Sequence, residues 1–134
     1  MSSIDTALYT RLTGFAGLRA LIATRVYPPP TPQNGPYPLV TLTLISAVRI
    51  YAMGDQTPLV DSRWQIDVWA SSSETARAVA EQVRLALSHY HGTSDTVVID
   101  LVLMENEQKF YDSEAELHRV IQDYIVSYRE TQPS

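Results

Sequence analysis

Apolar residues at the start of the chain recur at the spacing of a helix. One helix is predicted from Ser3 to about Phe15, with an apolar face formed by Ile4, Ala7, Leu8, Leu12 and Phe15. Gly14 and Gly17 interrupt this pattern, and a second, shorter helical turn follows before Arg25. A short strand is predicted next, at Val26 and Tyr27.

The middle of the chain alternates between apolar and polar side chains, which is typical of half-buried strands. The first such strand runs from Leu39 to Tyr51 with a bend near Ser46. Its predicted inner face consists of Val40, Leu42, Leu44, Val48 and Ile50. Val60 to Ala70 completes a long hairpin, with Trp64 on the apolar face and Trp69 among polar neighbours. We therefore expect Trp64 to lie in the core.

The second half of the chain predicts one helix and two strands. Ser71 to Glu74 has the spacing of a capping box, and apolar residues extend the helix to Tyr90 before Gly92 stops it. The segment from Thr96 to about Glu105 is apolar on both faces, which predicts a central strand. Leu117 to Arg129 forms the last strand. The predicted fold is α+β: a mostly antiparallel sheet of four to five strands, with two main helices packed on one face, in a single domain spanning residues 1–134.

Prolines dominate the connection between the first helices and the hairpin. They are Pro28, Pro29, Pro30, Pro32, Pro36 and Pro38. Because proline fixes φ and lacks a backbone donor, this segment is predicted to be a stiff, exposed loop. It serves either as a connector held against the domain or as an arm that docks another protein.

Composition and charge narrow the possible functions. The chain has 134 residues, no cysteine and a net charge of -5. Disulfides, thiolate metal sites and cysteine nucleophiles are therefore excluded. The ten basic residues are scattered, which argues against binding to phosphate backbones. We expect neither secretion nor membrane insertion, because the N-terminus lacks a signal peptide pattern and the apolar runs are short.

No chemical motif stands out in the sequence. His89 and His91 are two residues apart on the predicted helix, so their rings point apart and cannot share a metal unless the helix end unwinds. Asp67 lies beside Arg63 on one strand face, where a structural ion pair is the default interpretation. Glycine-rich phosphate loops and nucleophile elbows are absent from the sequence. We therefore expect no catalytic residue, no cofactor and no metal.

Several segments, taken in order, resemble the family of small phage proteins known as tail terminator or tail completion proteins. They are Ala7–Leu12, Arg25–Pro28, Pro36–Val40, Ser62–Ala70, Ala76–Ala80 and Val83–Leu87. The resemblance implies a hexameric ring in the virion neck that caps the tail tube, stops its polymerisation and presents a surface for the head. The implied partners are copies of the chain, the tail-tube protein and a head-completion (stopper) or connector protein. DNA would pass through the ring without specific binding. The protein would be made in the bacterial cytoplasm and then incorporated into the virion.

Three groups of residues are candidates for the contacts of such a ring. They are the strand face Arg63, Asp67 and Trp69, the proline run Pro28, Pro29 and Pro30, and the hairpin tip Gly54, Asp55, Gln56 and Thr57. The proline run and the hairpin tip contain few residues that fit the apolar pattern of the core. Contacts with other proteins therefore explain their presence better than folding does. Two alternatives remain: another neck protein, such as a head-completion or connector protein, and a small α+β enzyme with a buried cluster of titratable groups.

Overall fold

The computed structural model describes residues 4–29, 36–50, 59–94 and 97–130. This part of the chain forms three helices and six strands. In order they are α1 (Ile4–Gly14), α2 (Ala16–Ile22), β1 (Val26–Tyr27), β2 (Leu39–Ile50), β3 (Leu59–Ala70), α3 (Ser73–Leu87), β4 (Gly92–Ser94), β5 (Val97–Asp112) and β6 (Leu117–Glu130). The strands build one sheet in the order β1-β2-β3-β6-β5-β4. Neighbouring strands are antiparallel except β1 and β2, which are parallel.

The α+β class is confirmed, but the predicted number of strands was too low. The sixth strand is β4, which begins at Gly92, the residue predicted to stop a helix. Helix α3 already ends at Leu87, because the chain turns at His89, whose φ is 61°. The backbone N–H of His89 donates to the carbonyl of Val102 on β5 over 2.8 Å. This hydrogen bond holds the chain after α3 beside the edge of the sheet. The predicted second helical turn is α2, which begins at Ala16 and therefore includes Gly17.

Helix α3 begins one residue later than the capping-box pattern predicts. Ser72 is its N-cap, and the Ser72 side chain accepts a hydrogen bond from the Thr75 backbone N–H over 3.1 Å. The helix packs on the sheet through a stripe of small and apolar residues: Ala76, Val79, Ala80, Val83, Ala86 and Leu87. Gly17 of α2 lies close to the Gln82 side chain of α3. A Cβ at Gly17 would lie 2.0 Å from Gln82 Oε1.

One face of the sheet, called the covered face here, packs against the helices and forms the core. Trp64 on β3 is 3% exposed, which confirms its predicted place. Its indole N–H donates to Ser62 Oγ over 2.9 Å, and Ser62 Oγ donates to the carbonyl of Val126. The buried polar groups of this layer are thus paired within the core.

Gln122 on β6 connects the sheet to α3. Its side-chain amide donates to the carbonyl of Ala80 over 3.0 Å and to Glu107 Oε2 over 2.8 Å. The phenol of Tyr124 donates to Gln122 Oε1 over 2.8 Å. Burial, followed by the charge of Glu107, raises the pKa of Tyr124, so the phenol keeps the proton that it donates.

A β-bulge divides β2 into two halves with different faces. Leu44 pairs with Trp64 and Ser46 pairs with Arg63, so Ile45 is the extra residue. The predicted bend is confirmed, but its effect on the faces was missed. Val48 opposes Asp61 and therefore lies on the face away from the helices, called the open face here.

Strand β5 is not central, contrary to the prediction. The centre of the sheet is formed by β3 and β6, while β5 is covered on its outer side only by the three residues of β4. It also extends to Asp112, through a polar stretch that did not look like a strand. Residues 105–112 are exposed on both faces, which explains why no alternation marks them. None of the described helices is long and apolar enough to cross a membrane.

Candidate functional site

Asp67 lies at the middle of the open face and is held by two side chains. Arg119 Nη2 on β6 donates to Asp67 Oδ2 over 2.7 Å, and Gln65 Nε2 donates to Asp67 Oδ1 over 3.0 Å. The Asp67 side chain is only 8% exposed, so its charge depends on these partners. Asp67 does form an ion pair, but its partner is Arg119 and not, as the sequence had indicated, its strand neighbour Arg63.

Arg119 also stacks on Trp69, its cross-strand partner. The guanidinium carbon lies 4.7 Å from the centroid of the Trp69 ring, which is a cation–π distance. Trp69 Nε1 and Arg119 Nε are buried and have no hydrogen-bond partner among the described residues. Asp67, Arg119 and Trp69 therefore form one connected cluster, of which Trp69 remains half-buried.

Trp69→Ala is expected to weaken assembly of the protein into particles while the isolated chain still folds. Losing the stacked ring should cost about 1–2 kcal/mol of unfolding free energy, because the cation–π contact is partly desolvated. Trp69→Phe is the matched control, since it keeps an aromatic ring over Arg119 and removes the unsatisfied N–H. Urea unfolding and quantification of the protein in purified particles test both variants. Normal incorporation of Trp69→Ala would show that Trp69 serves the fold alone.

Arg63 lies on the same face but outside this cluster. Arg63 Nη1 pairs with Glu105 Oε1 over 2.5 Å, and both side chains are about two-fifths exposed, at 43% and 42%. Glu105 sits at a bulge of β5, between the pairs Met104–Tyr124 and Asn106–Asp123. Because exposed ion pairs contribute little to stability, Arg63 is free to serve a contact at small cost to the fold.

Pro28 and Pro29 line a groove of about 430 Å³ between α1, β1 and β2. The other lining residues are mostly apolar and include Tyr9, Leu44 and Trp64. Arg25 holds the end of the proline segment, because its Nε donates to the carbonyl of Pro38 over 2.8 Å. Pro30, Gly54, Asp55, Gln56 and Thr57, which were also predicted as contact residues, lie outside the described residues.

Large apolar side chains are exposed along both outer parts of the sheet. On β2 they are Leu44, Ile45, Val48 and Ile50, and on β5 they are Leu101, Leu103, Phe110 and Tyr111. Their exposed fractions range from 38% for Leu101 to 61% for Val48. Exposed apolar surface of this extent marks sites of protein contact. The sequence had placed Leu44, Val48 and Ile50 on one inner face. The bulge at Ile45, which leaves no mark in the pattern, turns Val48 and Ile50 to the open face, whereas Leu44 stays opposite Trp64.

Metal-binding groups do not converge in the part of the chain that the structure describes. No three of its His, Asp and Glu side chains are close enough to hold a metal ion. His118 stacks at a tilt on Tyr111 with ring centroids 4.7 Å apart, far along the sheet from His89.

Comparison with known proteins finds one matching family and solved structures of similar fold. The family model described as "Tail completion protein gp17" matches residues 6–129. A chain in a solved structure described as "Virion of native gene transfer agent (GTA) particle" is 21% identical, with 91% of each chain covered and a TM-score of 0.69. A second solved protein, known only by a sequence identifier, is 15% identical over 98% of this chain and 96% of its own, with a TM-score of 0.64. No curated protein sequence matches the chain.

Proposed function

This chain belongs to the tail completion protein gp17 family, and we propose that it is the subunit of a ring that caps the tail tube of a long-tailed phage or phage-like particle. Family membership makes it a structural protein of tail assembly. Its proposed role is to stop tube polymerisation and to present the surface that the filled head joins. Its partners are then further copies of the chain in a six-membered ring, the tail-tube protein and a head-completion or connector protein.

The observation that carries this proposal is the position of the exposed apolar side chains. Ten large apolar residues of the described part are exposed, and eight of them lie on β2 and β5, on opposite sides of the sheet. A monomeric protein would leave these residues in water, whereas a ring subunit buries one side against each neighbour. A chain with exposed apolar surfaces on two sides of its sheet fits an assembly role best.

The net charge also suits a ring through which DNA passes. With a formal charge of -5, the chain has an excess of carboxylates over basic groups. DNA sliding past carboxylates is not held as it would be by clustered arginine and lysine side chains. The protein is proposed to act in the virion neck after synthesis in the bacterial cytoplasm.

Particles produced without this chain are expected to carry tails of uncontrolled length that fail to join heads. Negative-stain electron microscopy measures the tail-length distribution, and the unmodified chain supplied in trans is the control that should restore it. Cryo-EM of intact necks should show six copies in a closed ring. Tails of normal length attached to heads in the absence of the chain would refute the role. Defective heads with normal tails would instead indicate a head-completion protein.

A further inference from the structure

In the described part of the chain, each edge of the sheet leaves a long stretch of backbone without a strand beside it. On one side β1 pairs with β2 only at Val40 and Thr41. On the other side β4 pairs with β5 only from Val97 to Ile99, and the His89 N–H occupies the carbonyl of Val102. Among the described residues, no strand pairs with the outer side of β2 beyond Thr41 or of β5 beyond Val102. Both stretches are long enough to accept a further strand.

The open face becomes apolar toward these two edges. In the central strands it presents mainly polar side chains, such as Asp61, Arg63 and Gln65. At the β2 edge it presents Val48 and Ile50, which are paired with Asp61 and Leu59. At the β5 edge it presents Leu101, Leu103 and Phe110. Free edges are often protected by charges or prolines. Here charges are present, with Arg49 on β2 and Glu105, Glu107 and Lys109 on β5, but exposed apolar side chains lie between them on both edges.

We propose that the β2 edge of one copy pairs with the β5 edge of the next copy, so that the sheet continues from subunit to subunit. This inference rests on the proposed ring. Strands β2 and β5 run in opposite directions, because three antiparallel pairings separate them. A neighbour in the same orientation therefore offers an antiparallel strand. Its Leu103 and Phe110 come to lie on the same face as Val48 and Ile50.

A second copy of the chain fits these edges better than a different protein does. The two edges belong to opposite sides of one sheet, so a head-to-tail contact uses both and can close into a ring. A tail-tube protein that added a strand to one edge would leave the other apolar edge in water. The covered face also has a matching pair of charges, with Arg49 at the β2 edge and Glu107 at the β5 edge.

Disulfide crosslinking in assembled particles tests the pairing directly, because the natural chain has no cysteine. Val48→Cys is combined in turn with Asn106→Cys, Gln108→Cys or Phe110→Cys, all on the open face. Within one chain these sites are three strand spacings apart, roughly 14 Å, which is too far for a disulfide. Leu85→Cys on α3, combined with the same β5 positions, is the control. We expect crosslinked multimers up to a closed ring for at least one Val48 pair and none for Leu85.

A second variant asks whether the edge is needed for the ring. Val48→Lys with Ile50→Lys places two charges on the β2 edge, where both side chains are already exposed and fill no core space. We expect a folded chain that no longer forms rings, with at least tenfold less protein in particles. Leu85→Lys is the matched control, since Leu85 is also exposed but lies on a helix. It should assemble normally.

The outcomes separate this inference from the proposed function. Rings that crosslink only through other positions, or that form normally with lysines at 48 and 50, refute the edge pairing and leave the terminator role in place. Rings with β2–β5 crosslinks in particles whose tail length does not depend on the chain support the pairing and refute the terminator role.

Discussion

Replacing Trp64 by alanine is expected to lower the free energy of unfolding by about 3–5 kcal/mol, as large aromatic truncations in a core do. The Trp64 side chain is buried at 3% exposure. It pairs across β2 and β6 with Leu44 and Tyr124, so its removal leaves a cavity between two strands and the helices. Its loss also leaves Ser62 Oγ without the indole N–H that it accepts.

Urea unfolding of Trp64→Ala, Trp64→Phe and Trp69→Ala measures this effect and its origin. Trp64→Phe keeps most of the buried ring and should cost clearly less than Trp64→Ala. Trp69→Ala is the matched control, because it removes the same side chain from the opposite face of the same strand. A larger loss for Trp69→Ala than for Trp64→Ala would mean that the two faces of β3 are exchanged, which a slip of one residue produces.

The position of Trp64 could be predicted because β3 keeps strict alternation over its whole length. Its residues pair without a shift with β6 from Val60 to Ala70, so the period of two holds. The same reasoning failed on β2 beyond Ile45, since one inserted residue exchanges the faces. It failed on β5 for another reason. The segment from Glu105 to Asp112 is exposed on both faces, so no apolar pattern records that it is a strand.

Two residues of the candidate site, Asp67 and Trp69, could be predicted from the sequence, but their partner Arg119 could not. Asp67 and Trp69 were selected as neighbours on the polar face of one strand, and the structure places them beside each other there. Their common partner, Arg119, lies on another strand some fifty residues later in the chain, so only the register of β3 against β6 brings the three together. Local sequence does not contain that register. A search for arginine on the polar face of the last strand would have been needed to find it.

Arg119→Ala is expected to destabilise the chain by about 2–4 kcal/mol, because it leaves the carboxylate of Asp67 buried with only Gln65 as a partner. The Arg119 side chain is 32% exposed, which places the effect below that of a fully buried ion pair. Asp67→Ala should cost less than Arg119→Ala. The guanidinium that remains can reach solvent and still stacks on Trp69.

The double variant Asp67→Ala with Arg119→Ala isolates the ion pair from the packing of the two side chains. If the cost of Arg119→Ala comes from an unpaired buried carboxylate, removing that carboxylate as well should recover part of the loss, so the double variant is more stable than Arg119→Ala alone. Arg119→Met keeps the alkyl chain against Trp69 and should behave like Arg119→Ala, because it also removes the charge. Simple additivity of the two single losses would show that the side chains act independently. The polar centre of the open face would then contribute through packing rather than through its ion pair.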